Sequence, residues 1–98
     1  MTDPMRGILI EYAGMVSGLY ASALKAVILY GSHARGDYTE DSDVDIMILV
    51  DMPEEEISRS RESLAGLTYD FNEAHDLKIM PVLIGEKQFA YWVPVYPF

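Results

Sequence analysis

The amino-acid sequence predicts a small α/β (α+β) domain, in which a mixed β-sheet carries its helices mainly on one face. Two patterns lead to this fold class. Three short segments are rich in strand-forming residues, and the longer segments around them repeat apolar residues at helical spacing. The chain has 98 residues, half of them apolar (50%), which suits a single core and one domain over residues 1–98.

An amphipathic helix is predicted first, over residues 4–24. Asp3 followed by Pro4 is typical of a helix start. Apolar residues then recur on one helical face: Ile8, Tyr12, Met15, Val16, Leu19 and Ala23. The next segment, KAVILY at residues 25–30, is short and apolar, and Gly31 ends it. It predicts a strand that runs into a glycine turn.

A second strand is predicted over residues 43–50, which read DVDIMILV. The preceding residues, 32–42, have the composition of a short helical turn followed by a polar turn. The later part of the strand is apolar on both faces, which predicts a central strand covered on both sides, or nearly so.

A second helix and a third strand complete the predicted sheet. Pro53 and the three glutamates after it indicate a helix start, and this helix is expected to reach about His75. Residues 77–84 (LKIMPVLI) form the third strand, and Pro81 within it favours an edge position or a bulge. The short link between the first two strands predicts that they pair antiparallel or obliquely, whereas the helical crossover predicts a third strand parallel to the second. Residues 86–92 (EKQFAYW) predict a short final helix.

The charge and composition argue against several classes of function. The sequence has 16 acidic and 7 basic residues, a formal net charge of −9, which argues against direct nucleic-acid binding. It contains no cysteine, so disulfides, thiolate metal ligands and catalytic thiols are excluded. No apolar run reaches the roughly 18 residues of a membrane span, and the N-terminal residues lack the pattern of a signal peptide. We therefore expect a cytoplasmic protein that does not bind membranes.

Two aspartates at the start of the second strand suggest a metal site. Asp43 and Asp45 are two residues apart on a strand, so both side chains are expected on one face, about 6–7 Å apart. Two such carboxylates repel each other unless a cation lies between them. A hard divalent cation such as Mg²⁺ suits their oxygen atoms, with phosphate and water filling its other positions.

The residues just upstream suggest a phosphate site beside these acids. Gly31 has no side chain, so a phosphate can approach its backbone closely. Ser32 offers a hydroxyl and a backbone N–H at a short helix start. Arg35 can pair with a phosphate or tie the loop to a carboxylate, and both interpretations stay open.

The whole segment, GSHARGDYTEDSDVD, resembles the G-S-x-A-R-G-(x)-S-D-x-D signature of minimal nucleotidyltransferases, the small members of the DNA polymerase β superfamily. Eight positions match: Gly31, Ser32, Ala34, Arg35, Gly36, Ser42, Asp43 and Asp45. The resemblance implies the nucleotidyltransferase fold, ATP as donor, two Mg²⁺ ions and transfer of AMP to a hydroxyl. It also implies a partner, because many members are antitoxins encoded beside a helical HEPN-type ribonuclease toxin.

The sequence departs from this family pattern at a third carboxylate. The family usually carries it on the strand after the second helix, where it helps to activate the attacking hydroxyl. Here that strand, LKIMPVLI, contains no acid, and the nearest candidates are Asp76 just before it and Glu73 on the helix. Asp76 is read either as a cap at the strand start or as this catalytic carboxylate.

Two functions therefore stay open. The intact glycine–serine and aspartate motifs favour a nucleotidyltransferase that modifies a partner protein. The missing acid favours a weak or inactive nucleotide-binding module that neutralises its toxin by contact. A C-terminal group of aromatic residues either covers the sheet or forms an apolar patch for another chain, including a second copy: Phe89, Tyr91, Trp92, Tyr96 and Phe98.

Overall fold

A computed structural model describes residues 3–31 and 43–92, with side chains for residues 5–31 and 43–89. Its elements follow the predicted order: α1 (Asp3–Tyr20), a 3-10 turn (Ala21–Ala23), β1 (Leu24–Tyr30), β2 (Val44–Val50), α2 (Glu54–His75), β3 (Ile79–Gly85) and α3 (Glu86–Trp92). The turns predicted over residues 32–42 lie outside the described residues. So do residues 93–98 and the side chains of Tyr91 and Trp92.

The three strands form one mixed sheet in the order β1-β2-β3. Strand β2 is central, antiparallel to β1 and parallel to β3. This confirms the predicted pairing. It also confirms that Pro81 lies on an edge strand. An edge strand tolerates proline because it has a hydrogen-bonded neighbour on one side only, so fewer of its N–H groups are needed for pairing.

Both long helices pack against the same face of the sheet. Alternate residues of β2 point toward them and are buried: Val44, Ile46, Ile48 and Val50. They join one core cluster with side chains of α1 such as Tyr12 and of α2 such as Phe71. The predicted arrangement, with helices mainly on one face, is confirmed. The opposite face is referred to below as the open face.

The open face is apolar and only partly covered. Strand register places Ile28, Met47 and Val82 in one row across it. Ile28 and Val82 are exposed, whereas Leu49, one row further toward the end of β2, is buried. The predicted coverage of β2 on both sides is therefore correct for its last residues, and its first residues are open on this face.

A buried hydrogen bond joins the two helices inside the core. The hydroxyl of Tyr12 lies 2.7 Å from the Oγ1 atom of Thr68, and the Tyr12 ring packs against Phe71 at a centroid distance of 5.3 Å. Thr68 is polar, and it is buried in α2 because Tyr12 satisfies its hydroxyl. Met15, predicted on the buried face of α1, is exposed instead.

The end of α2 aligns β3 beside β2. The Asn72 side chain accepts a hydrogen bond from the Ile79 N–H at 2.9 Å and donates one to the Ile79 carbonyl at 3.2 Å. The Val44 N–H then donates to the Lys78 carbonyl at 2.9 Å. Strands β2 and β3 consequently start at the same edge of the sheet.

Among the helices in the described part of the chain, none combines the length and the apolar character needed to cross a bilayer.

Candidate active site

One edge of the sheet gathers the predicted site residues that the structure describes. Because β1 is antiparallel to β2 and β3 is parallel to it, this edge holds the end of β1 and the starts of β2 and β3. Gly31 follows β1 directly, and Asp43 directly precedes β2. Ser32 and Arg35 lie outside the described residues.

Gly31 and Asp45 are in direct contact. The Gly31 backbone has φ +76°, a left-handed conformation that side chains disfavour. A Cβ atom at Gly31 would overlap the Oδ2 atom of Asp45, and it would lie 3.2 Å from Cγ and 3.3 Å from Cβ of that side chain. The Asp45 carboxylate therefore occupies the space that a side chain at position 31 would fill. The sequence alone does not indicate this role of Gly31.

Asp45 lies on the face of the sheet away from the helices. Val44 and Ile46 are 1% and 2% exposed and face the core. Side chains alternate along a strand, so Asp45 lies on the open face, where it is half-buried. Asp43, immediately before the strand, is exposed. The position of Asp45 agrees with the alternation expected from the sequence, and the placement of Asp43 on the same face stays a prediction.

Two residues that the sequence reasoning missed flank Asp45 on the open face. Strand register places Tyr30 of β1 opposite Asp45 on one side and Met80 of β3 opposite it on the other. Partial burial, and next the negative charge of Asp45, raise the pKa of the Tyr30 hydroxyl above its usual value. Met80 is 52% exposed. Neither residue carries a motif, so only the strand pairing reveals them.

The candidates for a third carboxylate occupy other positions. Asp76 is the C-cap of α2, in a left-handed conformation (φ 53°), and its N–H donates to the Asn72 carbonyl. It therefore caps a helix end and not a strand start, because the chain must reverse there before β3. Glu73 is exposed on α2 and accepts a hydrogen bond from Tyr69, which raises the pKa of that tyrosine. The catalytic role of Asp76 stays a prediction.

The composition of the site fits a hard cation held by few protein ligands. Within residues 3–31 and 43–92, no group of three or more His, Cys, Asp or Glu side chains could hold a metal ion. On β3, the position that faces Asp45 carries the thioether of Met80 instead of an acid. Among the described residues, Asp43 and Asp45 offer carboxylate oxygen atoms at the end of the sheet where β2 starts, and these suit Mg²⁺ with its remaining positions taken by phosphate and water.

A cavity of about 460 Å³ lies at the opposite edge of the sheet. It is bordered by Val50 at the end of β2 and by Gly85 at the end of β3. Val50 lies five steps along β2 from Asp45, a distance of roughly 17 Å. This cavity is therefore separate from the edge where Gly31 meets Asp45.

Comparison with known proteins identifies a family over most of the chain. The family described as "Nucleotidyltransferase domain" matches residues 14–92. Three proteins of Methanocaldococcus jannaschii, each named "Putative protein adenylyltransferase", are similar to this chain. One is 35% identical over 78% of this chain and 75% of its own length.

Each of the other two relatives is matched over a smaller share of its own length. One is 48% identical over 43% of this chain and 42% of its own length. The other is 30% identical over 88% of this chain and 58% of its own length, so this chain spans less than two thirds of both. No solved structure is a significant match. The family match covers both aspartates, the glycine bend and all three strands, and the chain belongs to the nucleotidyltransferase domain family.

Proposed function

We propose that this protein is a Mg²⁺-dependent nucleotidyltransferase that moves AMP from ATP to a hydroxyl on a partner protein. We further propose that it is the antitoxin of a HEPN/MNT toxin–antitoxin pair. The family and the names of its relatives support adenylyl transfer. The observation that carries the proposal is the contact of Asp45 with the Gly31 bend, because it brings an acid of the predicted metal site to the predicted phosphate site.

Each residue has a separate role in this proposal. Asp43 and Asp45 hold Mg²⁺, which, when bound, neutralises charge on the attacked phosphate and on the pyrophosphate that leaves. The backbone at Gly31, with Ser32 and Arg35, holds the phosphates of ATP. An acceptor oxygen bonds to the α-phosphorus of ATP, the bond from that phosphorus to the bridging oxygen breaks and pyrophosphate leaves, and the hydroxyl proton passes to Asp76 and from there to water.

The second candidate function is a binding module with little or no catalysis, which neutralises its toxin by contact. The specific observation in its favour is Met80, because a thioether cannot activate a hydroxyl at the position that faces Asp45. Asp76 is the acid proposed to take that role if the enzyme is active. A partner with a basic surface would complement the net charge of −9, and we propose that both meet in the cytoplasm.

The test combines the purified protein with ATP labelled on its α-phosphate, Mg²⁺ and the protein encoded by the adjacent gene. The enzyme proposal expects label on the partner, and it expects Asp43→Asn or Asp45→Asn to abolish it. Asp51→Asn is the matched control, because Asp51 is an exposed acid just beyond the other end of β2. It should leave labelling unchanged.

Other outcomes distinguish the two candidate functions. A tight complex without label, unaffected by Asp45→Asn, would replace the enzyme with the binding module. Equal loss of label in the Asp51→Asn and Asp45→Asn variants would show that charge in general, and not the site, is responsible. Calorimetry with Mg²⁺ and ATP should show uptake that Asp45→Asn removes.

A further inference from the structure

We infer that Lys78 supplies the positive charge that a second Mg²⁺ would bring to this site. Asp43 and Asp45 then hold a single Mg²⁺, and the Lys78 ammonium group binds a phosphate oxygen of ATP. This inference rests on the proposed adenylyl transfer. It gives a role to a residue outside the sequence motif, and it replaces the two Mg²⁺ ions that the family resemblance implies by one ion and one fixed cation.

Lys78 lies at the edge of the sheet where β2 starts. Its carbonyl accepts a hydrogen bond from the Val44 N–H at 2.9 Å, and this N–H belongs to the peptide group that joins Asp43 to Val44. Adjacent strands are about 4.8 Å apart. The backbone of Lys78 therefore runs one strand spacing away from the first aspartate of the predicted metal site.

The Lys78 side chain lies on the side of the sheet that carries Asp45. Leu77 packs against the core and Ile79 is buried in it, whereas Lys78 between them is exposed. The next residue on the same side as Lys78 is Met80, which is opposite Asp45 in the strand register. Lys78 is therefore two residues, roughly 7 Å along the chain, from the direct neighbour of Asp45.

The described residues offer ligands for one Mg²⁺ and not for two. A second ion at this edge needs a further oxygen ligand beside Asp45, and the position of β3 that faces Asp45 holds Met80. A thioether is a soft ligand, whereas Mg²⁺ selects hard oxygen atoms. In the part of the chain that the structure describes, no three acidic, histidine or cysteine side chains are grouped closely enough to hold a metal.

An ammonium group can take the place of the second ion. Lysine binds phosphate as a point charge at the end of a flexible stem. A positive charge held close to the attacked phosphate stabilises the negative charge that develops there, whether a metal ion or a side chain carries it. The other two lysines are too far away, because Lys25 is beside the end of β2 at the opposite edge and Lys87 borders the cavity there.

The first experiment counts the metal ions. The full chain, in excess over α,β-methylene-ATP, is titrated with Mn²⁺ as a paramagnetic substitute for Mg²⁺, and electron paramagnetic resonance measures the free Mn²⁺. The methylene group prevents transfer of AMP, so the donor complex persists. We expect one Mn²⁺ per bound nucleotide. Two ions per nucleotide would overturn the inference, because the second ion would then be present in addition to Lys78.

The second experiment compares Lys78→Gln with Lys25→Gln, which makes the same change of charge at the opposite edge. Calorimetry with Mg²⁺ and α,β-methylene-ATP should show nucleotide affinity about tenfold weaker in Lys78→Gln, the range of one charge-assisted contact. Lys78→Arg keeps the charge and should retain most of the affinity, and Lys25→Gln should bind as the unmodified protein does. Both lysines are exposed, so urea unfolding should show that every variant is folded.

Binding of Mn²⁺ without nucleotide should respond in the opposite direction. Lys78 repels a metal ion at the neighbouring aspartates, so Lys78→Gln should bind Mn²⁺ alone at least as tightly as the unmodified protein does. Weaker binding of Mn²⁺ alone would show that Lys78 acts by holding the aspartates in place and not by contact with phosphate, and it would overturn the inference.

Two further results would overturn the inference while the proposed function stands. Nucleotide affinity that Lys78→Gln leaves unchanged would remove the role of Lys78. Equal weakening in Lys78→Gln and Lys25→Gln would assign the effect to net charge and not to the site. An unmodified protein that binds neither Mn²⁺ nor the nucleotide would overturn the proposed function together with this inference.

Discussion

The contact between Gly31 and Asp45 leads to the sharpest prediction, which concerns the substitution Gly31→Ala. The added methyl group would overlap the Oδ2 atom of Asp45, and the backbone there has φ +76°. Two separate effects follow. One is backbone strain in the folded state, and the other is displacement of a carboxylate that is proposed to hold Mg²⁺.

The size of each effect can be worked out from the structure. A left-handed backbone costs an alanine about 1–2 kcal/mol relative to glycine, and this should appear in the free energy of unfolding. The overlap can be relieved by rotation of the short Asp45 side chain, so it adds little to unfolding. Rotation moves the carboxylate away, and loss of a residue that positions a metal ligand typically weakens metal affinity about 10- to 100-fold.

The chain offers a matched control in Gly66→Ala. Gly66 is exposed in the middle of α2, and a Cβ atom there meets nothing within 4 Å. Alanine in a helix interior is favoured over glycine by about 1 kcal/mol, so this variant should be stabilised. The same chemical change is therefore expected to have opposite signs at the two positions.

Urea unfolding measures stability, and calorimetry with Mg²⁺ and ATP measures affinity. In a protein that already carries Asp45→Ala, Gly31→Ala should not change the affinity for Mg²⁺ and ATP, because the carboxylate is gone. It should still lower the free energy of unfolding, because the backbone strain remains. The account is refuted if Gly31→Ala binds Mg²⁺ and ATP as well as the unmodified protein. It is also refuted if Gly31→Ala and Gly66→Ala change stability in the same direction.

Three other predictions concern the fold around the site. Tyr12→Phe should lower the free energy of unfolding by about 1 kcal/mol at neutral pH, because it leaves the buried hydroxyl of Thr68 without its partner. Burial raises the pKa of Tyr12 in the folded protein above its usual value of 10.0. The stability that the protonated Tyr12 contributes is therefore fully present below pH 10.0, and it is lost as the pH rises through the higher pKa of the folded state. Asn72→Ala should cost about 2 kcal/mol in urea unfolding, because it removes both hydrogen bonds to Ile79. Asp76→Gly should raise the free energy of unfolding by about 0.5–1 kcal/mol, because glycine adopts φ 53° without strain.

Each of these predictions has an outcome that would contradict it. An alkaline stability profile of Tyr12→Phe identical to that of the unmodified protein would show that Tyr12 is not the titrating group. Asn72→Ala with unchanged stability would mean that β3 is aligned by other contacts. For Asp76, the companion variant Asp76→Asn tolerates the same backbone without charge. Because Asp76 is proposed as the third carboxylate, we expect this variant to lose most of its adenylyl transfer, and unchanged transfer would leave Asp76 with the role of a helix cap alone.

Much of the fold could be predicted because it depends on local patterns. Helical spacing of apolar residues located α1 and α2, and the apolar runs located the three strands. The short link and the helical crossover predicted one antiparallel and one parallel pairing, as observed. Pro81 indicated an edge strand or a bulge, because a central strand pairs its N–H groups with neighbours on both sides and proline has no N–H to donate.

The predictions that failed involve contacts between distant parts of the chain. Periodicity placed Met15 on the buried face of α1, but the packing of the helices leaves it exposed. Thr68 was not expected in the core, and it is buried because Tyr12, 56 residues earlier, satisfies its hydroxyl. Asp76 was read as a possible strand cap, but the turn out of α2 makes it a helix cap.

The sequence by itself determined the element order, the face on which Asp45 lies and the family signature, because each depends on residues that are close together in the chain. Only the tertiary structure decided that the Asp45 carboxylate fills the space beside Gly31, and that Tyr30 and Met80 flank it. The physical reason is strand register. Alternation along one strand fixes which face a side chain occupies, but its neighbours across the sheet depend on how strands far apart in sequence align.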